Sequence, residues 1–146
     1  MAVRRSDATG TPSRLDAMAS PARLDSAVME AAAFFTGHPL GLAVHERVRS
    51  VLDGLGPVTV RVTKSQVAFR RRRAFAWLWL PGRYLTNPTA DVVLSFALGR
   101  RDGSPRIKEI VQPSPRHWMH HLEVRQVADI DDEVVAWLRE AADRAD

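Results

Sequence analysis

The stretch Gly56-Pro57-Val58-Thr59-Val60-Arg61-Val62-Thr63 decides the fold, because the apolar period of the chain changes there from helical to alternating. Val58, Val60 and Val62 alternate with Thr59, Arg61 and Thr63, the pattern of a strand with one buried face. The residues before it read as helix, and most of those after it read as strand.

Upstream, Val28, Met29, Ala32 and Phe35 recur at three- and four-residue spacings, which predicts a helix from Asp25. Gly37 and Pro39 stop it, since Gly takes the left-handed C′ conformation and Pro cannot continue a helix. A second helix is predicted over Leu40 to Asp53, with Val44, Val48, Val51, Leu52 and Leu55 as its apolar stripe. Residues 1–21 mix small, polar and charged side chains without apolar periodicity, and a disordered tail is expected there. That leaves 22–146 as a single α+β domain. No apolar run comes after Arg4 and Arg5, so a secretory signal is not expected and a cytoplasmic location is.

Downstream, Gln66 to Phe69 reads as a short strand, Arg70 to Arg73 as a hairpin tip, and Ala74 to Leu80 as a strand apolar on both parities. Phe75, Trp77 and Trp79 share one parity there, and core tryptophans facing helices are expected. Asp91 to Leu98 is a further strand, followed by a turn at Arg101-Asp102-Gly103 and a weaker strand over Arg106 to Val111. Pro113 and Pro115 are expected to interrupt before the alternation of Trp118 to Arg125. The last element is a helix with Asp129 as predicted N-cap and Ile130, Val134, Leu138 and Ala141 as its stripe. The expected fold is α+β: two N-terminal helices, a mainly antiparallel sheet of five to six strands, and a C-terminal helix on one face.

The 146 residues contain no cysteine, which excludes thiol nucleophiles, disulfide frameworks and thiolate zinc sites. No apolar run is long enough to cross a bilayer, so no membrane partner is expected. Charge is unevenly spread. Residues 1–46 carry 4 basic and 5 acidic side chains, residues 47–125 carry 15 and 5, and residues 126–146 carry 2 and 7. A basic centre beside an acidic end implies that part of the positive charge is answered inside the fold, and the remainder suits an anionic partner.

Four guanidiniums in a row, Arg70 to Arg73, next to Phe69, Phe75 and Trp77 suggest an anion or nucleic-acid contact, with phosphate on Arg and a ring on Trp. The competing expectation is a solvated hairpin tip. His117, His120 and His121 invite a metal reading, yet His120 and His121 point to opposite faces of a strand, so no metal is expected. His120 is expected on the core side beside Trp118 and Leu122, and His121 on the outer face. Lys64, Gln66, His120 and Glu123 are the candidates for proton chemistry, with Lys64 at the end of the core face, where burial would lower its pKa. Phosphate-loop, nucleophile-elbow and zinc-protease motifs are absent, and no cofactor is expected.

The runs Phe34-Phe35-Thr36-Gly37-His38-Pro39, Lys64-Ser65-Gln66-Val67-Ala68-Phe69, Arg73-Ala74-Phe75-Ala76-Trp77 and Trp118-Met119-His120-His121-Leu122-Glu123, together with the Asp132-Glu133-Val134 helix, resemble the bacterial family called domain of unknown function 5655. The likeness covers about residues 34–143. It implies a compact α+β domain and brings no catalytic residues with it.

Three functions are therefore expected to compete. The first is a non-catalytic module that binds an anionic small molecule, a protein or nucleic acid through Lys64, Gln66, Arg72, Arg73, His120 and Arg125. The second is a small enzyme acting on an anionic metabolite with Lys64 or His120 as proton-transfer residue. The third is a homodimer formed through a stripe of small residues, Ala74, Ala76, Ser95 and Ala97.

Overall fold

A computed structural model of the protein describes residues 21–146. The tail expected over residues 1–21 lies almost wholly outside the described residues. Helix α1 spans Pro21–Phe34 and α2 spans Pro39–Asp53. Pro39 opens α2, where its missing N–H costs nothing, and Gly37 between the helices takes a φ of 80°, a conformation that favours glycine. Strands β1 (Thr59–Val62), β2 (Val67–Arg70), β3 (Ala74–Trp79), β4 (Val92–Leu98), β5 (Glu109–Ser114) and β6 (His117–Val124) come next. Helix α3 (Asp132–Arg144) ends the chain.

The six strands form one sheet in the order β1-β2-β3-β4-β6-β5, every pairing antiparallel. Val67, Leu78, Leu94 and Leu122 align across four strands and face the helices, as do Phe69, Ala76, Phe96 and His120. With Val44, Val48 and Leu52 of α2 and Val134, Leu138 and Ala141 of α3 they make the core. The fold is α+β, with α3 packed against the sheet.

The structure corrects four local expectations. The N-cap of α3 is Asp131, whose carboxylate accepts from the Val134 N–H. Asp129 instead closes the preceding 3₁₀ turn, accepting from the Arg125 and Gln126 backbone N–H groups. Strand β5 runs through Pro113, which is tolerated because β5 is an edge strand and its register shifts between Val111 and Ser114.

The third correction matters for function. The β2–β3 pairing shifts register beside Phe69, with Phe69 opposite Ala76 and Arg70 opposite Ala74, so Phe75 is the extra residue of a bulge. A bulge re-aims a side chain, and Phe75 joins the core while Trp77 and Trp79 stay on the other face. The tryptophans therefore do not face the helices. The fourth concerns the stripe of small residues: Ala76 lies on the core face and Ser95 and Ala97 on the opposite one, so no single face carries it.

Candidate functional site

The sheet face opposite the helices holds a cleft of about 450 Å³ lined by Ser65, Gln66, Trp77, Trp79, Tyr84, Ser95, Met119 and His121. Its size is that of a small-ligand site. The pleat explains its composition. Arg61, Ala68, Trp77, Ser95, His121 and Glu109 are consecutive cross-strand partners from β1 to β5, so all six side chains project to this face. Trp79 and Val93 project from the row on one side of it, and Ala97 and Met119 from the row on the other. Small residues (Ala68, Val93, Ala97) form a buried floor, and Trp77, Trp79, Met119 and His121 stand half-buried above it.

One end of the face is closed by the segment after β3. Tyr84 lies 6.4 Å from the Trp79 ring and donates its hydroxyl hydrogen to the Ser65 carbonyl (3.4 Å). Arg83 donates to the carbonyls of Phe34 (2.8 Å) and Lys64 (3.3 Å), tying this segment to the end of α1 and to the β1–β2 turn.

Polar groups meet at the centre of the cleft. The Trp79 indole N–H donates to Ser95 Oγ at 2.9 Å, and Ser95 Oγ lies 2.6 Å from His121 Nδ1. His121 stands edge-on to Trp79 at 6.1 Å. Burial pushes the imidazole pKa down, with Glu109 opposing, so His121 is neutral at pH 7. The rim is electrically lopsided: exposed Arg61 and Lys64 make no ion pair among the described residues, whereas exposed Glu109 sits on the β5 side.

The residues named from sequence do not converge. Gln66 lines the cleft, and Lys64 stands exposed in the adjoining turn rather than on the core face. Arg125 lies at the same end of the sheet, hydrogen-bonded to Glu123 (2.9 Å) and to the Thr89 carbonyl (3.1 Å). Arg72 and Arg73 lie at the opposite end, in the β2–β3 turn. There the Arg73 guanidinium donates to the Arg144 carbonyl (2.6 Å), and the Arg72 and Arg73 N–H groups both bond the Ala145 carbonyl. Arg71 donates to the carbonyls of Leu55 (2.6 Å) and Ala142 (3.2 Å). The arginine run thus caps the C-terminal end of α3, where the helix dipole is negative.

His120 is fully buried on the core face. Its Nε2 accepts from the Asp102 N–H (2.9 Å), its Nδ1–H donates to the Trp118 carbonyl (3.1 Å), and its ring stacks on Phe96 at 5.3 Å. With both nitrogens committed to backbone it is a structural histidine. Among the described residues no group of three His, Asp or Glu side chains is placed to hold a metal ion, and no helix is long and apolar enough to cross a membrane.

Sequence reasoning named Trp77 as a stacking ring beside the arginine run, His121 as an outer-face residue and Ser95 in a small-residue stripe, but it did not bring them together and did not select Trp79 or Met119 as site residues. The available signal was the shared parity of Trp77 and Trp79 with Ser95 and His121, and it is readable only once strand order is known.

A second cleft, of about 390 Å³, runs between α1 and α2 and is lined by Val28, Ala31, Leu42, His45 and Arg49 among others. Its walls mix small aliphatic residues with charged and polar ones such as Glu46, Ser50 and Asp53, and it lacks the indole rings of the sheet cleft.

No curated protein and no solved structure matches the chain. Residues 31–144 match the family model described as Domain of unknown function (DUF5655), a span that includes the whole sheet, α2, α3 and every residue of the aromatic cleft, and the chain belongs to that family.

Proposed function

We propose that the protein is a non-catalytic binding module whose open sheet face takes a ring-bearing anion of the nucleotide type, free or as part of a single strand. One observation carries this: Trp77 and Trp79 stand half-buried, side by side, on the sheet face that none of the described helices α1, α2 and α3 covers. Large apolar surface left open and rimmed by polar groups marks a binding surface. Indole rings can stack any flat ring, each contact contributing roughly 1–3 kcal/mol. Arg61 and Lys64 supply the charge for a phosphate at the β1 side, while Glu109 repels it from the β5 side, so the ligand is oriented across the strands. Such compounds are abundant in the cytoplasm, which is the location this function suits. Catalysis through His120 has no support, since the ring is sealed in the core.

The test is a titration of the full chain with uridine and adenosine 5′-monophosphates and with a short oligothymidylate at about 50 mM salt, where electrostatic contacts are strong. Quenching of tryptophan fluorescence is expected. Trp77→Ala and Trp79→Ala should each weaken binding by about tenfold or more, the loss of one stacked ring. Arg72→Ala should leave it unchanged. Absence of binding by all three ligands would falsify the proposal, and a tighter oligomer would identify the strand as the ligand.

A further inference from the structure

We infer that His121 is the specificity-determining residue of the aromatic cleft: as a neutral imidazole with its proton on Nε2, it donates a hydrogen bond to an acceptor on the bound ring. The inference rests on the ring-binding function proposed above and names the chemical class of ring.

The tautomer is dictated by a chain of donors whose direction is set at its far end. An indole N–H can only donate, so Trp79 gives its hydrogen to Ser95 Oγ. Ser95 is 3% exposed, and its own hydroxyl hydrogen must find an acceptor within the protein. Among the described residues the one acceptor bonded to that oxygen is His121 Nδ1, at 2.6 Å. Ser95 therefore donates to Nδ1, and the imidazole carries its single proton on Nε2. Packing holds the ring in place, edge-on to Trp79, with its backbone paired to Ser95 on β4 and to Glu109 on β5.

The Nε2–H makes no hydrogen bond to another described residue, and His121 lines the cleft beside Trp77 and Gln66. The fold thus spends three residues on presenting one donor to the ligand. Burial works in the same direction by favouring the neutral imidazole, while Glu109 works against it. A matching ring offers a carbonyl oxygen or a pyridine-type nitrogen, as nucleobases do. A plain hydrocarbon ring would leave the donor dehydrated and unpaired, which is the stronger source of discrimination.

The experiment uses two ring-bearing anions, uridine 5′-monophosphate with ring acceptors and benzyl phosphate without them, and three proteins. In the unsubstituted chain the nucleotide is expected to bind about tenfold tighter, the effect of one hydrogen bond against an unpaired donor. His121→Phe should abolish that preference, bringing the ratio of the two affinities to within about twofold of one. His121→Gln, whose amide N–H reaches near the Nε2 position, should retain most of it. The nitrogen-15 shifts of the free chain at pH 7 should show the proton of His121 on Nε2. If neither anion binds, the ring-anion function falls and the inference with it. If both bind and the preference survives His121→Phe, or if the proton sits on Nδ1, the inference alone is overturned.

Discussion

His45 is the residue on which the acid stability of the fold turns. Its side chain is packed in α2 between Phe35 and Phe69, with ring centroids 5.8 and 5.7 Å away, and its Nδ1 is buried without a hydrogen-bond partner. Burial, reinforced by the Arg49 charge, pushes its pKa down from 6.5 to about 4. A histidine whose folded pKa is depressed binds its proton more readily when unfolded. Stability is therefore intact above about pH 6.5 and is lost as pH falls toward 4, by about 3 kcal/mol in full. His117, His120 and His121 are depressed in the same direction, each mainly by burial, and add to the same loss. Urea unfolding at pH 7 and pH 5 should show the fall, and His45→Leu should shrink it by about 2 kcal/mol at pH 5. An unchanged pH dependence in that variant would show that burial of the His45 imidazole is not what opposes its protonation in the folded chain. Gly41 makes a second residue-scale case. A Cβ there would lie 2.6 Å from the ring of Phe35, itself 2% exposed, so Gly41→Ala should destabilise by roughly 1–3 kcal/mol in the same assay.

At the scale of elements, the β2–β3 hairpin does two jobs at its two ends. Its turn holds the end of α3, and the division of labour among the four arginines is uneven. The Arg71 side chain is only 9% exposed and bonds Leu55 and Ala142, whereas Arg72 is exposed and makes no side-chain hydrogen bond among the described residues. Arg71→Ala is expected to cost about 1–3 kcal/mol by leaving the Leu55 carbonyl unpaired and removing one of the two bonds to the Ala142 carbonyl, and Arg72→Ala less than about 0.5 kcal/mol. Thermal unfolding of the two variants checks the contrast, and equal effects would refute the capping role. The same hairpin shows what a sequence reveals and what it hides. Strand positions, the helices and the opposite orientations of His120 and His121 can be read from periodicity, because alternation is a local property. The face of the tryptophans cannot, because one extra residue at Phe75 reverses the parity between the start and the end of β3. The four-arginine run reads as a ligand site only while its partner, the α3 terminus some 70 residues later, is out of view.

At the scale of the whole molecule, the basic centre and acidic end of the chain turn out to be two sides of one set of internal contacts. Arg71 pairs with Asp143, Arg100 with Glu140, and Arg106 with both Asp131 and Glu133. Arg47 and Arg83 are turned onto backbone carbonyls, and Arg125 onto Glu123. Most of these pairs are solvent-exposed and contribute little to stability singly. Their effect is on the outer field: they remove cations from the set free to meet an anion, leaving Arg61 and Lys64 beside the cleft. That number sets the salt dependence of binding. A protein that neutralises many phosphates loses affinity steeply with salt, with a slope of about −0.7 per contact on a single strand. Two contacts imply a slope near −1.4, so raising salt from about 50 to 200 mM should weaken oligothymidylate binding only about sevenfold. Titrations across that range measure it directly, with Arg61→Ala expected to lower the slope by about half and Arg73→Ala expected to leave it alone. A slope steeper than about −4 would mean that the paired arginines are released to the ligand, and that their internal contacts are exchanged on binding rather than kept.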